Sequence, residues 1–157
     1  MREQPTAHEA LAEQLRSDIG AVAWGLTALL GPDEATRVLD AKISARAPMW
    51  ASQLLADDDK LAAQTVIDLM NVLWPTNTEP PPEWWSSPLG QAAARSIGHH
   101  GAETVSYSVA GAMLGCSKQY VSKLVAGGKL ERGTEGGVTT SSVRALLRAR
   151  TAAAIAK

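Results

Sequence analysis

Between Ser106 and Leu130 the chain reads SYSVAGAMLGCSKQYVSKLVAGGKL, two short helix-forming segments around a glycine corner. Ser106 is placed to cap the first segment, in which Tyr107, Ala110, Met113 and Leu114 recur at helical spacing. Gly115 supplies the positive φ that a tight corner demands, and Ser117 is placed as the cap of the second segment. Ala110 is small, as a close crossing of two helices requires. Val121, Leu124 and Val125 form an inward face. At 100° per residue, Lys118, Gln119, Ser122 and Lys123 gather on the opposite arc, with Tyr120 at its border. Two cations interleaved with two hydrogen-bonding side chains can both hold phosphates and read base edges.

The continuation KLERGTEGGVTTSSVRALLRAR predicts a very short hairpin, with Leu130–Arg132 against Val138–Thr139. A last helix, capped by Ser141 or Ser142, then runs through Val143, Leu146 and Leu147. Ser106–Arg150 resembles the winged helix-turn-helix of the MerR and phage excisionase superfamily. The matching residues are Ser106, Ala110, Leu114-Gly115-Cys116-Ser117, Gly128-Lys129-Leu130 and Gly136-Gly137. The resemblance implies that the Ser117–Ala126 helix enters the major groove of double-stranded DNA. Ser117, Lys118, Gln119, Tyr120, Ser122 and Lys123 would then meet DNA, with Lys129 and Arg132 on flanking phosphates. The chain departs from the family at Gly111, where alanine is usual, and in a wing that carries Glu131 and Glu135. An ordinary helical hairpin with solvated lysines is the alternative at this point.

Charge is unevenly distributed. The whole chain has a net charge of −1, but residues 1–97 carry 7 Lys/Arg against 13 Asp/Glu, and residues 98–157 carry 8 against 3. A basic C-terminal part joined to an acidic N-terminal part fits a DNA reader with a separate partner domain. Charge complement of a helix C-terminus accounts for Arg144, Arg148, Arg150 and Lys157, but not for Lys118 and Lys123.

The expected fold is mainly α: an N-terminal helical domain (residues 1–74), a Pro-rich linker (75–83) and a helix-turn-helix domain (84–157) with at most a very short β-hairpin. The first helix is predicted from Thr6 or Ala7 to Leu30, with Leu11, Leu15, Ile19, Val22, Leu26, Leu29 and Leu30 on one face. Gly20 and Gly25 inside it either bend it or admit a close neighbour. Gly31-Pro32 stops it and Asp33 opens the second, with Val38, Leu39 and Ile43 as its stripe and a break or kink expected near Ala47 from Pro48. Asp57–Asp59 open a third, with Leu61, Val66, Ile67, Leu69, Met70, Leu73 and Trp74 apolar. Trp24, Trp50 and Trp74 are read as core. Ser87 with Pro88 starts a further helix, and Trp84 or Trp85 is expected to close its seam with the helix-turn-helix.

Nothing points to catalysis: the chain has no nucleophile elbow, phosphate loop or dinucleotide fingerprint, and no cofactor or metal is expected. His99-His100 reads as a solvated loop pair. One cysteine, Cys116, excludes an internal disulfide and fits a reducing cytoplasm. No apolar run has the length of a membrane span. The reading is a cytoplasmic, sequence-specific DNA-binding regulator, paired through its N-terminal helices because one small module reads few base pairs. The alternatives are an excisionase- or partition-like architectural protein, an antitoxin or adaptor whose N-terminal helices bind a protein partner, and a ligand pocket among those helices.

Overall fold

A computed structural model of the chain describes residues 4–75 and 78–155. The fold is mainly helical, with one two-stranded antiparallel sheet. The chain divides into two compact units, Met1–Thr78 and Glu79–Lys157. Among the described residues no helix is long and apolar enough to cross a membrane.

The first unit holds α1 (Ala7–Leu30), α2 (Glu34–Leu55) and α3 (Asp59–Leu73). Each starts on a side chain that satisfies free N–H groups. Thr6 and Glu9 form a capping box on α1, and Asp33 and Thr36 form one on α2. Asp58 Oδ1 accepts from the N–H groups of Lys60 and Leu61, both at 3.1 Å. Leu11, Leu15 and Ile19 of α1 are buried with Ile43, Ala47, Ala51 and Leu54 of α2 and Ala62, Val66, Leu69 and Met70 of α3.

Three expectations for this unit are corrected. Pro48 does not interrupt its helix; α2 runs unbroken through it. Proline removes one backbone donor, but Ala47 and Ala51, both fully buried, hold that stretch in place, so tertiary packing outweighs the local cost. His8 adds a tie across the pair: its Nε2 lies 3.0 Å from both the Pro48 carbonyl oxygen and Ser52 Oγ. Trp24 is not core but 71% exposed, while Trp50 and Trp74 are half-buried. On α3, Leu61 and Ile67 are exposed, and Ala62 and Thr65 take the inward positions.

The second unit begins on the Pro-rich stretch, of which residues 76 and 77 lie outside the described residues. Its end is not all extended, since Pro82–Ser86 forms a 3-10 turn. Then follow α4 (Pro88–Ile97), β1 (Thr104–Val105), α5 (Tyr107–Leu114), α6 (Lys118–Ala126), β2 (Val138–Thr139) and α7 (Thr140–Ile155). Ser87 Oγ accepts from the Gly90 N–H at 3.1 Å, with Pro88 at the first helical position. Trp85, 1% exposed, is the seam-closing tryptophan, and the 3-10 turn that carries it packs on α5.

The small sheet differs from the expected hairpin. β2 pairs with β1, Thr104 opposite Thr139 and Val105 opposite Val138, while the Leu130–Arg132 arm keeps only the Arg132–Val138 bridge. The α7 start is also shifted. Thr139, not Ser141 or Ser142, offers the accepting hydroxyl, to the Ser142 N–H at 3.4 Å. Ser142 Oγ instead accepts from the Glu131 N–H at 3.1 Å, tying the Leu130–Arg132 arm to α7.

Candidate nucleic-acid interface

The corner between α5 and α6 is built from its own backbone. Gly115 sits in the left-handed region at φ 68° and ψ 34°. The Cys116 N–H donates to the Gly111 carbonyl at 2.8 Å and the Gly115 N–H to that of Ala112 at 3.3 Å, closing α5 as a glycine C-cap does. Ser106 and Ser117 cap the two helices through the N–H groups of Val109 and Tyr120, each at 3.2 Å.

Side chains from both neighbouring helices reach into this corner. Gln91 Nε2 of α4 donates to the Ala112 carbonyl at 2.9 Å, and Arg150 Nη1 of α7 donates to that of Leu114 at 3.0 Å. These carbonyls belong to the last turn of α5, where acceptors lack the regular i+4 helical donor. Gly111 lets α6 start so close: a Cβ there would stand 2.6 Å from the Cys116 carbonyl oxygen. The sequence predicts Ala110 as the contact residue. Ala110 is fully buried, but the tight approach falls on Gly111.

On α6, Val121 and Leu124 are buried and Val125 is half-buried, so the inward face is narrower than expected. Lys118, Gln119, Ser122 and Lys123 are all exposed on the opposite arc, and Tyr120 is 47% exposed beside it. Among the described residues neither lysine forms an ion pair. Ser117 is exposed at the start of the same helix. Its oxygen already accepts a backbone bond, so its hydroxyl hydrogen is what it can offer to an acceptor.

Lys129 and Arg132 are exposed but lie off this arc. Arg132 lines a polar groove with Glu103 and Glu131. The basic excess of the unit is shared elsewhere too. Arg95 of α4 is held below the usual guanidinium range by burial and then by Arg148 of α7.

The remaining candidates lie apart from the arc. His99 and His100 are not a solvated pair: both are half-buried and stacked, ring centroids 4.8 Å apart, with His99 5.0 Å from the Trp85 ring. Burial pushes the basicity of both down; His100 adds to this for His99, and Glu79 opposes it for both. Cys116 is half-buried, and burial raises its thiol pKa against the opposing pull of Arg150. No group of three or more His, Cys, Asp or Glu among the described residues is arranged to hold a metal ion.

Comparison of the chain with family models, curated proteins and solved structures finds no match.

Proposed function

We propose that this protein is a sequence-specific DNA-binding regulator that places α6 in the major groove. The observation that carries this reading is the α6 arc, with Lys118, Gln119, Ser122 and Lys123 all exposed directly opposite the buried Val121 and Leu124. The unpaired lysines suit phosphate oxygens, and Gln119 suits an adenine edge, which it can meet with donor and acceptor together. Ser117 and Tyr120 flank that contact, and Lys129 supplies a further phosphate contact. Arg132 is the weakest member of the set because Glu103 and Glu131 share its groove.

The same reading has the MerR- and excisionase-like character of residues 106–150, a cytoplasmic setting in which Cys116 stays reduced, and pairing of two chains through the N-terminal helices. Pairing follows from need, since a nine-residue helix spans less than one half-turn of groove contact and useful specificity calls for two half-sites.

The test is selection of bound sequences from a random DNA library with the full chain. A defined motif that loses one position's preference in Gln119→Ala supports the reading. No enrichment over bulk DNA overturns it and moves the protein-adaptor alternative to first place.

A further inference from the structure

One apolar stripe on α1 changes its environment along its length. Leu11, Leu15 and Ile19 are 1%, 0% and 8% exposed; Val22, Leu26, Leu29 and Leu30, on the same face, are 39%, 52%, 84% and 83% exposed. The α2 stripe does likewise: Ile43, Ala47, Ala51 and Leu54 are buried, but Leu39, one turn earlier, is 38% exposed.

The cause is the length of α3. With 15 residues against 24 in α1, it spans about 22 Å against about 36 Å. Its last turns, at Leu69 and Val72, share a groove with Ile19 and Trp50, so its cover ends near Ile19. Beyond that level no third helix among the described residues of this unit covers the α1–α2 hairpin. Between the two helices lies an open groove of about 170 Å³, floored by Leu26, Leu30, Ala35 and Leu39.

We infer that this uncovered end of the hairpin is the surface on which a second copy of the chain docks, hairpin against hairpin. Three observations favour a copy over another partner. The end offers both a projection and a recess: Leu29 is 84% exposed, and its neighbour Leu30 lines the groove. Each copy carries both, as a two-fold interface requires. Secondly, Ala21–Leu30 contains no charged residue, which offers nothing to nucleic acid or a charged peptide. Thirdly, the area fits. Val22, Leu26, Leu29, Leu30 and Leu39, 39%, 52%, 84%, 83% and 38% exposed, present roughly 500 Å² together, close to the apolar share of a standard interface of about 800 Å² per partner. Gly25, one turn before Leu29, has nothing within 4 Å of a Cβ built there, leaving the approach open. Trp24 lies on the other side of the hairpin, beside Gly20, Arg37 and Asp40.

This deepens the pairing proposed above, and it is tested without DNA so that the two readings fail separately. The experiment is the mass of the full chain in solution, by sedimentation equilibrium at tens of micromolar. Wild type and Trp24→Ala are expected at twice the 16.5 kDa chain mass, and Leu29→Glu at the single mass with unchanged helix content by circular dichroism. Leu29 is so exposed that its replacement leaves the single chain's packing intact; Leu26→Glu, tested in parallel, is expected to give the same loss. A wild-type chain at the single mass overturns the inference even if it selects a DNA motif. So does Leu29→Glu remaining at twice the mass, or loss of pairing on Trp24→Ala alone.

Discussion

The guanidinium of Arg150, near the end of α7, donates to the carbonyl oxygen of Leu114 at 3.0 Å, and Leu114 is the last residue of α5 before the Gly115 corner. A cation at a helix C-terminus meets both an orphan acceptor and the negative end of the helix dipole. The last helix therefore braces the corner that orients α6, from a position 36 residues along the chain. Arg150→Met is expected to destabilise the protein by about 1–2 kcal/mol, less than the roughly 1.5–3 kcal/mol of charged hydrogen bonds in general because Arg150 is exposed. Urea unfolding measures it. A midpoint unchanged from wild type would remove the brace from this account.

Gly111→Ala separates two opposed effects. Alanine is the better helix former by about 1 kcal/mol, which by itself predicts stabilisation. The added Cβ would stand 2.6 Å from the Cys116 carbonyl oxygen, and a backbone oxygen in a corner closed by its own hydrogen bonds has little room to retreat. Steric displacement of this kind costs about 1–3 kcal/mol, so the clash wins and the variant melts below wild type. A raised melting temperature would show that the corner relaxes easily.

That pair of opposed effects also marks what the sequence could disclose. Caps and corners are legible because each acts within a few residues: Asp33, Ser87, Ser106, Gly115 and Ser117 all sit where local chemistry puts them. The polar arc of α6 was legible because period alone defines it. Contacts between distant segments were not. Gln91, Arg150 and the β1 strand leave no periodic trace, and Gly111 looked like a defect until the approach of Cys116 gave it a reason. Pro48 was misjudged because its local cost is visible and the burial of Ala47 and Ala51 that outweighs it is not. The α1 stripe was read correctly as apolar to Leu30, but sequence period cannot say that α3 stops short of covering it.

Acid should weaken the second unit through His99 and His100. Both have their basicity lowered in the fold, first by burial. Between the lowered folded value and the ordinary 6.5 the unfolded chain binds more protons, so stability rises with pH across that window. The contribution is complete above about pH 6.5 and is lost as pH falls through the folded values. Unfolding midpoints measured from pH 7.5 to pH 5 are expected to decline, and to decline less steeply in His99→Phe, which keeps an aromatic ring beside Trp85 but cannot be protonated. Equal slopes for the two proteins would assign the acid sensitivity to other groups.

Charge divides the residues of the α6 arc. Lys123 and Gln119 are both exposed on it, but only the lysine carries charge. If Lys123 meets a phosphate, Lys123→Ala releases one fewer counterion on binding, and the slope of log affinity against log salt becomes shallower by about 0.9. Affinity then falls by a similar factor for every sequence, because a phosphate contact holds register without reading bases. Gln119→Ala should do the reverse: leave the salt slope unchanged, and lose about 1–3 kcal/mol of discrimination at a single base pair. Titration of a selected site and its single-base variants at several salt concentrations measures both quantities in one set of experiments. If the two variants show the same salt slope and the same base preferences as wild type, α6 does not face the DNA, and the groove-reading role falls with it.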